Sequence, residues 1–111
     1  MRVYDGYEAE PKWLAGHPDG YVGVVQGFVE DTNGQPAAVV ALDQEITLES
    51  ASTGEALRGR YLLLTFAWTG MNWSRPGPRL HVHLFQEPPT RYPSRAEFRR
   101  SWVESHASWN F

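Results

Sequence analysis

The chain predicts an α+β fold that is mainly antiparallel β: a meander of four to six strands with one C-terminal helix packed on the sheet. Three observations lead there. Apolar residues alternate at period two through most of the chain, the connections are short and rich in turn residues, and helical spacing appears only near the end. With 111 residues and 41% hydrophobic content, the sequence fits one domain, 1–111, around one core.

Residues 1–20 read as irregular or edge structure, ending in the Pro-Asp-Gly turn of GHPDG, where His17 is a turn residue. YVGVVQGFVED, 21–31, is rich in β-branched residues and reads as a strand. Asn33-Gly34 then marks a hairpin into PAAVVALD, because both residues tolerate positive φ. In QEITLES, 44–50, Ile46 and Leu48 alternate with Glu45, Thr47 and Glu49, a half-buried strand. RYLLLTFAWT, 60–69, places Leu62, Leu64, Phe66 and Trp68 on a heavy apolar face and Tyr61, Leu63 and Thr65 on a milder one. After the loop GMNWSRPGP, RLHVHLFQE sets Leu80, Val82 and Leu84 against His81, His83 and Phe85. Ser94 and Glu97 form a capping box, and Phe98, Trp102, Ser105 and Trp109 recur at helical spacing, so a helix over 95–107 is expected to cover the heavy face.

Composition bounds the chemistry. Without cysteine the chain has no disulfide, thiolate metal site or thiol nucleophile. The N-terminus carries no apolar core of signal-peptide length, and the longest apolar run, YLLLTFAW, is too short to span a bilayer, so a cytoplasmic protein is the expectation. The net charge of −3 hides a division: ten acids against Arg2 and Lys12 up to Glu55, then eight arginines against Glu87, Glu97 and Glu104. The two halves neutralise one another within the fold, or the acidic one steers a basic partner. The nine-to-one excess of arginine over lysine fits a GC-rich, bacterial genome. Arg91, Arg95, Arg99 and Arg100 beside Trp102 raise nucleic acid as a partner, but the acidic total and the lack of a reading motif set it aside. Serine-elbow and phosphate-loop signatures are missing.

The motif HVHLFQE, with His-x-His-x3-Glu, and HASWN, with His106-x3-Asn110, resemble motif fragments of the cupin superfamily, small β-barrels that bind a divalent metal. That resemblance implies a metal-dependent enzyme with His81, His83, Glu87 and His106 as ligands. It covers seven and five residues, and the glycines of the cupin pattern are replaced by Arg75 and Ser94. The favoured reading is instead a non-catalytic protein-binding module without cofactor. Its partner-binding face collects Asp43, Glu45, Glu49, Tyr61, His81, His83 and Phe85, with Trp73 as a loop anchor. In size, acidity and missing catalytic machinery it is analogous to the immunity or antitoxin proteins with which bacteria cap basic toxins. A homodimer through the open sheet face is a third reading.

Overall fold

A computed structural model describes residues 1–4, 20–67, 71–75 and 77–110, with the backbone alone for Tyr4, 77–79, Ser105 and His106. The turn expected around His17 and the apolar position of Trp68 lie outside the described residues. Six antiparallel strands follow one another around a closed barrel: β1 (Arg2–Tyr4), β2 (Tyr21–Glu30), β3 (Pro36–Glu49), β4 (Ala56–Phe66), β5 (Gly77–Phe85) and β6 (Trp102–Asn110). One short helix, α1 (Arg95–Ser101), lies between β5 and β6.

The Asn33-Gly34 hairpin forms as its residues dictate. Asp31 accepts hydrogen bonds from the backbone N–H groups of Asn33 and Gln35, both at 2.8 Å, and Gly34 takes φ 77°. An aspartate that satisfies the turn and a glycine without a Cβ penalty together fix the β2–β3 register. The strand segments expected at 36–43 and 44–50 are one long strand, β3, with an irregularity between Ala41 and Ile46. There Arg60 Nε donates to the Leu42 carbonyl at 2.7 Å, supplying a bond where the β3–β4 register shifts.

Residues at even positions of β3, β4 and β5 point inward: Val40 and Leu42, Leu62 and Leu64, Leu80, Val82 and Leu84, all in one core. From β6 the odd positions Val103, Ala107 and Trp109 join them, and Val3 and Tyr21 complete the ring. Val3 pairs with Tyr21 on one side and Trp109 on the other, so the strand that closes the barrel also bridges its core. At one end Trp73 turns inward. Its indole N–H donates to the Pro36 carbonyl at 2.9 Å, and its ring lies 4.3 Å from Phe66 and 4.9 Å from Trp109 between centroids.

The expected helix-covered open sheet is therefore corrected to a closed barrel that is, among the described residues, nearly all β with one short helix. The heavy apolar face needs no helical cover because closure turns it toward its own opposite wall. The capping box is real: the Ser94 hydroxyl accepts from Glu97 N–H at 3.2 Å, and α1 starts at Arg95 as expected. But α1 ends at Ser101, and the residues expected to continue it form β6, paired with both β5 and β1. Their helical spacing coexists with strand alternation at Val103, Ala107 and Trp109, and the pairing demanded by closure selects the strand.

Two glycines mark where strands approach closely. A Cβ on Gly23 would lie 2.7 Å from the Ala41 carbonyl oxygen, and one on Gly59 would collide with the Phe85 carbonyl. Gly27 has nothing within 4 Å of that position. We expect Gly23→Ala and Gly59→Ala each to lower unfolding free energy by about 1–3 kcal/mol in urea titrations. Gly27→Ala should stay within about 0.5 kcal/mol of the parent. Equal effects at all three positions would contradict the register.

Candidate partner-binding surface

Because a barrel of six strands is narrow enough for side chains to fill, chemistry has to be sought on its outer wall, its ends or its loops. Closure also removes the free sheet edges through which another chain adds a strand. Recognition by this fold thus falls to side chains that point outward.

Outward residues line up across strands in two registered rows. In the first, Val24 of β2 pairs with Ala41 of β3, Ala41 with Tyr61 of β4, and Tyr61 with Phe85 of β5. In the second, Gly27 pairs with Val39, Val39 with Leu63, and Leu63 with His83. The second row is buried from outside, forming with Ala37 a small outer core that Val29, Phe85 and Tyr92 pack against. Segment 88–101, which carries Tyr92 and α1, covers it. The first row stays partly open, with Ala41, Tyr61 and Phe85 half-buried and Val24 67% exposed. Val22, two residues along β2, is 48% exposed.

The residues singled out from sequence divide between these environments. Asp43, Glu45 and Glu49 are exposed along β3 beyond Ala41. Glu45 meets Arg58 of β4 at 2.7 Å, a contact between the acidic and basic halves of the chain. Tyr61, Phe85 and His81 are half-buried, while Glu87 is exposed past the end of β5. Trp73 is buried in the aromatic cluster, as a loop tryptophan folding back onto the core, and presents no anchor to a partner. Arg91, Arg95, Arg99 and Arg100 are all exposed around α1.

His83 shares the outward side with His81, as i and i+2 residues of a strand must, yet it is fully buried because α1 lies over it. The imidazole stacks on Phe98 at a centroid distance of 3.7 Å, and Nδ1 is 3.1 Å from the Ser101 hydroxyl. That hydroxyl donates its one proton to the Phe98 carbonyl at 3.1 Å. Its oxygen therefore accepts from Nδ1–H, which leaves Nε2 an unprotonated acceptor, buried and without a partner among the described residues. Burial first, and then the charge of His81, pull the imidazole down to about 3, opposed by a backbone hydrogen bond with Phe98. Nearby, burial and then the Asp31 carboxylate push the Tyr92 phenol above its ordinary range.

Among the described residues, no three His, Cys, Asp or Glu side chains stand close enough to hold a metal ion. Of the four ligands implied by the cupin resemblance, His83 is engaged with Ser101 and Phe98, Glu87 faces solvent, and the side chain of His106 lies outside the described residues. No described helix is long and apolar enough to cross a membrane.

Val22 and Val24 are not among the surface residues expected from sequence, which reads 21–31 only as a strand. Alternation places them: with Tyr21 and Gly23 facing inward, Val22 and Val24 face out. For the exposed Glu45–Arg58 pair, a double-mutant cycle read by denaturant unfolding should give a coupling of about 0.2–1 kcal/mol, as screening by water leaves such pairs weak. A coupling well above that range would show that the pair holds the β3–β4 hairpin together.

Comparison of the chain with protein-family models, with curated proteins and with solved structures finds no match.

Proposed function

We propose that this protein is a small non-catalytic binding module of the cytoplasm that recognises a protein partner through the outer barrel wall. The contact surface is the registered row Val24, Ala41, Tyr61 and Phe85, extended by Val22 and bordered along β3 by Asp43, Glu45 and Glu49. One observation carries the reading. Val24 exposes two-thirds of its surface at the end of a cross-strand row of apolar and aromatic groups, in a sheet that offers no free edge. Scattered exposed apolar residues need no explanation, whereas a contiguous set rimmed by polar groups marks an interface.

The aromatic and aliphatic row supplies the apolar centre of such a contact, and the carboxylates set the sign of the charge it prefers. The partner this surface fits is a basic protein, the arrangement by which immunity and antitoxin proteins cap their targets. Part of the acidic border is already matched internally, since Arg58 holds Glu45. Steering is thus expected to modulate the association rate, and the apolar row to set residence time.

The test compares variants for capture of a partner from a cell extract, followed by kinetics with that purified partner. Val22→Asp with Val24→Asp should abolish capture while leaving the thermal unfolding curve in place. Glu45→Lys with Glu49→Lys should slow association several-fold at low salt and lose that effect at high salt. Undiminished capture by the folded double-aspartate variant would overturn the proposal.

A further inference from the structure

Segment 88–101 is built unlike the rest of the molecule. It lies outside the barrel, bounded by β5 on one side and β6 on the other, and the barrel closes through β1, β2 and β6 without it. Tyr92 seats it on the outer core of Ala37, Val39 and Leu63. Phe98 stacks on His83 and on Tyr92, Ser101 meets His83 Nδ1, and the Ser52 hydroxyl donates to the Arg99 carbonyl at 2.5 Å. Ala51 N–H donates to the Trp102 carbonyl at 2.8 Å, which anchors the start of β6 to the β3–β4 hairpin tip independently of α1.

We propose that His83 is an acid-sensitive latch: protonation of its buried imidazole releases segment 88–101, α1 included, from the outer wall while the barrel stays closed. The geometry gives the reason. A second proton on the ring has to go to Nε2, from which no group among the described residues accepts, so the imidazolium would sit charged against Phe98 and beneath α1. Lifting the segment hydrates that charge without breaking a strand pair.

Among the described residues only the Phe98 backbone, through its hydrogen bond with the ring, offsets part of that charge. On β5, His81 is of the same charge type and adds to the penalty. Across β4 the ring pairs with Leu63, next to Thr65, and across β6 with Trp102, while Glu104 stands opposite Val82. From α1 it meets Phe98 and Ser101, with Arg95, Glu97, Arg99 and Arg100 turned to solvent, as is Arg91 before them. At the hairpin tip Ser52 meets α1 at the Arg99 carbonyl. Neither imidazole nitrogen bonds a carboxylate among the described residues.

The sign follows from linkage. The closed segment holds His83 near 3 and the released one returns it toward 6.5. Closure is therefore undisturbed above 6.5 and weakens as pH falls from there toward 3, roughly tenfold for each unit. Release uncovers Val39, Leu63 and Ala37, a buried apolar strip next to Phe85.

Amide exchange expressed as protection factors tests the latch. Between about pH 7.5 and about pH 4.5, protection across α1 should fall roughly 100-fold while the β2, β3 and β4 amides hold theirs, and an apolar-surface dye should gain fluorescence over the same interval. His83→Leu, which keeps an apolar contact for Phe98 and cannot titrate, should hold α1 closed at both values. Should that variant not fold, imidazole resonances of the parent protein provide the second readout, with His83 taking up its proton over the pH interval in which α1 opens. The proposal falls if α1 protection is independent of pH, if it drops equally in His83→Leu, if His83 protonates without α1 opening, or if the barrel amides exchange together with α1.

Discussion

Everything in this molecule depends on the bond-by-bond closure of the sheet through its shortest strand. Val3 pairs with Tyr21 and Trp109, all three in the core, and Arg2 pairs with Val22 and Asn110. Beside it, Gly23 N–H donates to the Met1 carbonyl at 3.0 Å and the Met1 nitrogen donates to the Gly23 carbonyl at 2.9 Å. An open sheet of the same sequence would leave Leu62, Leu64, Leu80, Val82 and Leu84 facing water or in need of a helix. Each of those side chains represents about 1.5–3 kcal/mol of burial. Closing the sheet supplies the missing wall from the chain's own strands. Irregularities at Val25/Gly27, at Ala41/Ile46 and along β5–β6 let the strands bend around so few members.

Closure decides the division of labour that follows. The inside is committed to packing, and the ladder is satisfied all round, so what remains for recognition is the outward side chains. These meet two fates. One row lies beneath segment 88–101 and becomes a second, smaller core, in which an imidazole ends up where the alternation alone would have left it in solvent. The next row, one pleat away, is left partly open and carries the exposed valines. The same outward parity thus yields a buried histidine and an accessible Val24, and the short segment between β5 and β6 makes the difference.

How much of this was legible can be argued residue by residue. The inward set of β4 and β5 followed from alternation, because a two-residue period has a single reading when one face is so much heavier. The Asn33-Gly34 turn followed from local φ requirements, and the start of α1 from the Ser94–Glu97 cap. The stop of α1 did not, as no glycine or proline interrupts residues 101–107 and Trp102, Ser105 and Trp109 fit a helix as well as Val103, Ala107 and Trp109 fit a strand. Pairing with β5 on one side and with β1, some hundred residues earlier in the chain, on the other resolves that ambiguity, and such contacts leave no local trace. The burial of His83 was hidden for the same reason: it needed the position of α1. For the candidate surface, the acidic residues of β3 were readable as outward, whereas the valine-rich run 21–25 has no polar alternation to show that Val22 and Val24 face out until closure fixes which of their neighbours face in.

The electrical division of the sequence takes on a spatial meaning in this fold. β3 carries acids along its second half and pairs directly with β4, the first strand of the arginine-rich half, so opposite charges meet within one hairpin at Glu45 and Arg58. The hairpin tip in turn touches α1, where Arg95, Arg99 and Arg100 are exposed. Neutralisation inside the fold and the proposed attraction of a basic partner would therefore act on the same carboxylates. Water and salt weaken an exposed internal pair, so Arg58 tempers the acidic border without cancelling it. A partner that desolvates the neighbouring apolar row would strengthen any charge contact made at its edge, because the local dielectric falls as water leaves. On that argument the valines and the carboxylates would serve the proposed contact as one surface: the apolar row would exclude water, and that exclusion would give the nearby charges their discrimination.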